Sequence, residues 1–214
     1  MVGCAVATPP PVLAPLEAVS RGGPGAVSLT AAGGGMDTLF EATAVGGVAA
    51  SSWQLDDATE VEGSGGMALR VDSSEYSRPP GGASRLGFYR LGVRHRATAT
   101  DTLFVRAGAG GGFTDRGAPY ATVDAAATVG HTFSRRVRVY AGAATAFSIR
   151  LLGGGPSVPT AWAGGQIGLA VRVAGALQLG VEGTALGGLR LDALAGASSL
   201  SLFGSVRYTF SGSP

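Results

Sequence analysis

The chain has 214 residues, enough for one domain with or without a tail. Only 14% of them are charged and mean hydropathy is +0.28, which argues against a soluble domain with an ordinary solvated exterior. The net charge of +2 sets arginine alone against Asp and Glu, because the chain contains neither Lys nor Asn, an absence a GC-rich genome would also produce.

Residues 1–24 are rich in Pro, Ala and Gly and read as a flexible tail. The single cysteine, Cys4, excludes an internal disulfide. It stands in MVGCAVATPPPVLAP, where a small residue precedes it and a Pro/Ala-rich stretch follows. That context resembles the end of a bacterial lipoprotein signal and marks Cys4 as a lipidation candidate. The rival reading is an unmodified tail, and the basic and apolar parts of an export signal are expected upstream.

The domain is expected over 25–210, followed by a short tail, 211–214. Its first strands alternate weakly: Ala26 to Ala32, then roughly Leu39 to Leu55. A polar, acidic segment follows from Asp56 to Gly66, and then a strand from Met67 to Tyr76. Seven strong runs come next: Arg85 to Arg96, Thr102 to Phe113, Tyr120 to Phe133, Arg136 to Arg150, Thr160 to Val173, Ala176 to Leu191 and Ser198 to Phe210. Within each, every second residue is apolar. In the fourth, Val137, Val139, Ala141, Ala143, Phe147 and Ile149 share one face, and Arg138, Tyr140, Gly142, Ser148 and Arg150 share the other. Strict period-2 alternation is a strand pattern. Its regular repetition predicts an all-β fold, an antiparallel up-and-down barrel of ten strands, or of eight beginning at Met67. The uncharged window Leu151 to Val171 is long enough for a helical span, but its GGGPSVP run excludes a helix.

The polar face decides what surrounds the barrel. It is mostly small, with Gly92, Gly108, Gly130, Gly142, Gly168 and Ser201 as examples, and carries one or two long charged groups per strand. A narrow lumen needs small residues to admit bulky ones, whereas a water-facing surface would have no reason to be small. The Val/Leu face therefore points outward to lipid, where closure satisfies every backbone group. Tyr89, Phe113, Tyr120, Phe133, Phe147, Trp162, Tyr208 and Phe210 fall near the run ends, at the height of an interfacial girdle, although Tyr120 and Trp162 have the polar parity.

The last run, SLSLFGSVRYTF, places Leu202, Val206, Tyr208 and Phe210 alternately and ends on an aromatic. It resembles the terminal strand of bacterial outer-membrane β-barrel proteins, in which residues at the Tyr208 and Phe210 positions form the assembly signature. The resemblance implies a Gram-negative outer membrane as location, its lipid as surroundings, and insertion by the barrel-assembly machinery. Short turns (ATATD, SRR, AG) alternate with longer Gly/Pro loops, which would put the turns in the periplasm and the loops outside.

A lumen charge network is expected from Arg90, Arg94, Arg106, Asp124, Arg138, Arg150, Arg172, Glu182 and Arg207, with Arg70, Asp72, Arg96 and Arg190 on the same face. Arg94 and Arg106 should oppose each other, Asp124 should lie diagonal to Arg106, and Glu182 should lie diagonally near Arg207. Such a set either plugs the lumen with ion pairs or lines an anion-selective constriction. The plug is favoured, with a structural or partner-docking role for the barrel. The alternatives are a small anion pore, a rim-located enzyme, and a soluble lipocalin-like carrier. Enzymatic function is not expected. His95 and His131 fall near the short-turn ends on the lipid-facing register without a neighbouring carboxylate. One Cys and two separated His make no metal set, and the Gly runs lack the Lys and helix of a phosphate loop. Neither cofactor nor nucleic acid is implied.

Overall fold

The computed structural model describes residues 23–38, 42–70, 85–98, 103–114, 119–134, 136–151, 159–190 and 196–211. They form ten strands: β1 Val27–Thr38, β2 Ala42–Gln54, β3 Thr59–Arg70, β4 Arg85–Arg96, β5 Leu103–Thr114, β6 Pro119–Thr132, β7 Val137–Arg150, β8 Thr160–Ala174, β9 Leu177–Arg190 and β10 Gly196–Phe210. Each pairs antiparallel with its sequence neighbours, and β1 closes on β10 with Val27 opposite Phe210 and Ala31 opposite Val206. The result is a closed ten-stranded up-and-down β-barrel; the eight-strand alternative falls away because β1 and β2 complete the ring.

The seven strong runs match β4 to β10 within two residues at every end. The acidic stretch does not behave as expected. Only Asp56, Asp57 and Ala58 make the turn, and β3 begins at Thr59. Glu60, Val61 and Glu62 already alternate, so the two carboxylates enter the lumen while Val61 faces out. Polarity disguised the strand, because a segment with charged inward residues and glycines outward lacks the apolar stripe that marks its neighbours. The β8–β9 connection is two residues long and holds Gly175 at φ 26°, the left-handed sense that such a tight link requires.

The exterior is apolar and unpartnered. Leu91 (68% exposed), Ile167 and Leu202 (61% each) and Val129 (60%) stand bare along the belt. A soluble carrier has the opposite arrangement, with its apolar face turned inward. Exposed apolar area on this scale is unfavourable in water and needs no partner in hydrocarbon, so the outer surface is that of a membrane-spanning barrel. Trp53, Phe133, Tyr208 and Phe210 lie exposed at the short-turn end. Tyr120 and Trp162 depart from the expected girdle: both are buried in the lumen, as their parity requires.

Inside, bulky side chains lie over glycines of the adjoining strands. Phe88 faces Gly66, Tyr120 faces Gly112, Tyr140 faces Gly168 and Trp162 faces Gly188, each as direct register partners. A Cβ added at Gly188 would come within 2.6 Å of the Trp162 ring, and one at Gly66 within 2.6 Å of Phe88 Cζ. These inward glycines thus do packing work, giving a narrow lumen the volume for aromatic and guanidinium groups.

Candidate functional site

The lumen is divided along its axis. Toward the long-loop end it is apolar, with one cluster of Val48, Phe88, Tyr120 and Phe203 and another of Ala126, Ala144, Ala146, Trp162 and Leu186. Toward the short-turn end and the middle it carries a continuous ion-pair chain. Arg90 on β4 grips Asp124 on β6 with two parallel bonds, Nε to Oδ2 at 2.7 Å and Nη2 to Oδ1 at 2.8 Å. Its third nitrogen, Nη1, donates to Glu62 Oε1 on β3. Arg94 Nη2 donates to Glu62 Oε2 at 3.0 Å, and its Nη1 to Glu60 Oε2 at 3.3 Å. Glu60 Oε1 accepts from Arg207 Nη2 on β10 at 2.7 Å, and the same nitrogen reaches Ser52 Oγ on β2 at 3.1 Å.

Local sequence explains the reach of Arg90. To touch Asp124 its guanidinium must pass over β5, and there it lies against Gly108, the register partner of Asp124, beside Gly92. Any Cβ at Gly108 would occupy the guanidinium's place. Three arginines and three carboxylates, all buried, therefore alternate across four strands, β3, β4, β6 and β10. A buried charge is tolerable only when paired and hydrogen-bonded, and the bidentate Arg–carboxylate fork is the geometry that best meets that demand.

Arg106 stands opposite Arg94 across β4–β5, and Asp124 one inward pair along from it. The like charges of that pair are offset by Glu62, which lies in Coulombic range of Arg90, Arg94 and Arg106. Arg138 packs its guanidinium 4.7 Å from the centre of the Phe104 ring, a cation–π contact, and against Gly130. Glu182 accepts the Tyr140 hydroxyl at 2.7 Å. It is opposite Phe203, while Arg207 is opposite Gln178, two inward pairs away. The expected Glu182–Arg207 neighbourhood is thus corrected: Arg207 takes Glu60, whose place in a strand the acidic stretch concealed. Arg172 opposes Gln178 near the short-turn end, and Arg150 closes β7 at the long-loop end, both half-buried. Cys4 and Asp72 lie outside the described residues, as do the side chains of Arg70 and Arg190.

Both histidines lie on the exterior at the short-turn end. His95 Nδ1 is 3.2 Å from Thr59 Oγ1, and His131 meets Phe133 edge to face at 4.7 Å. At the β2–β3 turn, the exposed Asp56 carboxylate accepts the backbone N–H groups of Ala58 and Thr59 at 2.7 Å each. Those bonds, that of Ala58 first, hold its pKa below the usual carboxylate value. Among the described residues no three His, Cys, Asp or Glu side chains converge to hold a metal.

No family model and no curated protein matches the chain. Among solved structures it is similar to Neisserial surface protein A, at 13% identity over 86% of this chain and 96% of that one with a TM-score of 0.47. It is similar also to the outer-membrane protease OmpT of Escherichia coli, at 11% identity, 87% and 94% coverage and a TM-score of 0.43. An outer-membrane channel of Pseudomonas putida F1 gives 11%, 88%, 96% and 0.44. These are likenesses of architecture, and a shared barrel does not carry a shared role.

Proposed function

We propose that this chain is a small outer-membrane β-barrel with a sealed lumen, serving membrane integrity or docking an envelope partner through its loops or its N-terminal tail. The observation that carries the sealed lumen is the chain of ion pairs from Asp124 through Arg90, Glu62, Arg94 and Glu60 to Arg207. It spans the lumen from β6 to β10 and is continued toward the long loops by packed aromatic rings. An anion path would need open arginines at this level, and these three are each held by carboxylates.

The outer-membrane location is supported by the bare Val/Leu exterior and by the final strand, in which Tyr208 and Phe210 face outward. That strand also supports insertion by the barrel-assembly machinery. A non-enzymatic role is supported by the position of both histidines on the outer surface, away from the lumen carboxylates.

Single-channel recording on the purified full chain in planar bilayers tests the reading. The expected record has no conductance steps; discrete steps that depend on the protein would overturn the sealed lumen. Location is tested separately by fractionation and by heat-modifiable migration in detergent gels. Recovery of the protein from periplasm or cytosol without detergent would overturn the membrane assignment.

A further inference from the structure

The two ends of the lumen treat arginine differently. At the short-turn end each guanidinium of the ion-pair chain has its carboxylate. At the long-loop end β7 finishes on Arg150, in the same inward register as Ser148. Among the described residues no carboxylate occupies an inward position at that end.

Three of the neighbouring positions form one patch. Ser148 on β7 opposes Thr160 on β8, and Thr160 in turn opposes Arg190 on β9. Arg150 follows Ser148 on the same face of β7, so its base stands diagonal to Thr160, within the reach of a long side chain. Thr160 and Ser148 are completely buried. Thr160 Oγ1 and Arg150 Nε have no hydrogen-bond partner among the described residues. Ser148 Oγ accepts the Trp162 indole N–H at 3.1 Å, which leaves its own proton free to be donated elsewhere. Buried polar groups left unsatisfied are expensive, and in folded proteins they usually mark an unseen water or ion.

We infer that the long-loop mouth of the lumen binds a small oxyanion of the phosphate class, held by Arg150 with the hydroxyls of Thr160 and Ser148. The guanidinium supplies charge and a planar N–H fork, and the hydroxyls supply two further donors from adjacent strands. The site lies toward the long loops from the apolar clusters, so on the reading of a sealed lumen it is not part of a conduction path. The same donors would take a free phosphate or the phosphate of a lipid headgroup reaching over the rim.

The test uses the full-length chain with Trp53→Phe, which leaves Trp162 as the single emitter, folded in a zwitterionic detergent. Inorganic phosphate is titrated against chloride, followed by Trp162 emission and by calorimetry. Saturable binding to phosphate and not to chloride is expected. Arg150→Gln should weaken it about tenfold or more, and Thr160→Val severalfold, as for loss of charged and neutral hydrogen bonds. Arg136→Gln, in the turn at the opposite end, should leave it unchanged. Heat-modifiable migration of each variant confirms that a loss is not one of folding. Mixed micelles containing phosphatidic acid, with no free phosphate, form the second arm. A response there alone assigns the headgroup as source, and a response to both or to free phosphate alone assigns the soluble ion. No saturable response in either arm, or binding that survives both Arg150→Gln and Thr160→Val, would overturn the site. Neither result bears on the sealed lumen, which stands or falls on conductance.

Discussion

Glu62 is the hub of the lumen network, and its replacement by Gln is the most informative single perturbation. The carboxylate accepts from Arg90 and Arg94 and lies in range of Arg106, so it is the anion shared by the most cations. Gln keeps the volume and one acceptor oxygen but removes the charge. Three guanidinium groups then crowd a buried region with one counter-ion fewer. Arg90 retains its fork on Asp124 and Arg94 its bond to Glu60, so the cost should sit at the low end for breaking a buried pair, about 3 kcal/mol. Equilibrium unfolding in urea, scored by the folded and unfolded bands on unheated gels, measures it. The double variant Glu62→Gln/Arg94→Gln removes one cation with the anion and should recover part of the loss, with a coupling of about 1–3 kcal/mol. A single variant within about 0.5 kcal/mol of the parent, or strictly additive losses in the double, would refute the claim that these charges act as one network.

Gly168→Ala drives a Cβ into the Tyr140 ring and Gly188→Ala one into Trp162, so each should cost about 1–3 kcal/mol in the same assay. Gly183→Ala, whose Cβ meets nothing nearer than 3.8 Å, should cost far less, and equal losses at the three sites would contradict the packing role of the lumen glycines. Leu91→Arg, inside the bare belt of β4, should destabilise by about 2–4 kcal/mol, whereas Phe133→Arg at the short-turn end should cost about 1 kcal/mol or less. The reverse ranking would mean that the belt is not at the membrane midplane. Because the folded pKa of Asp56 is depressed, its support of the β2–β3 turn is present above the ordinary carboxylate pKa and is lost as pH falls through the lowered value. Amide hydrogen exchange at Ala58 and Thr59 should therefore accelerate in strong acid in the parent. In Asp56→Ala it should already be fast at neutral pH, and a pH step surviving in that variant would remove Asp56 as its cause.

The alternation of Val137, Val139 and Ala141 against Arg138, Tyr140 and Gly142 was enough to define strand identity and the two faces. The small residues of the polar face then turned the Val/Leu face to lipid, because only a narrow lumen needs them small. The same parity already put Tyr120 and Trp162 in the lumen, although their place near the run ends suggested a girdle. Register across short turns was equally legible: Arg94 opposite Arg106 follows from counting through ATATD. Counting fails across longer or polar connections. Glu60 and Glu62 sit in a stretch that looks like a loop, and their strand is fixed by pairing with β2 and β4 rather than by any apolar stripe of its own.

By itself the sequence determined a barrel, its inside and outside, and the set of charges that had to share its interior. Only the tertiary structure decided which charge meets which. Closure of β1 on β10 brings Arg207 to Glu60 from 147 residues away, and Gly108 lets Arg90 cross a strand to Asp124. Parity is a local property of the backbone, written residue by residue. Partnership in a lumen depends on how far the strands slide past one another as the ring closes, and on the space left by small residues between them.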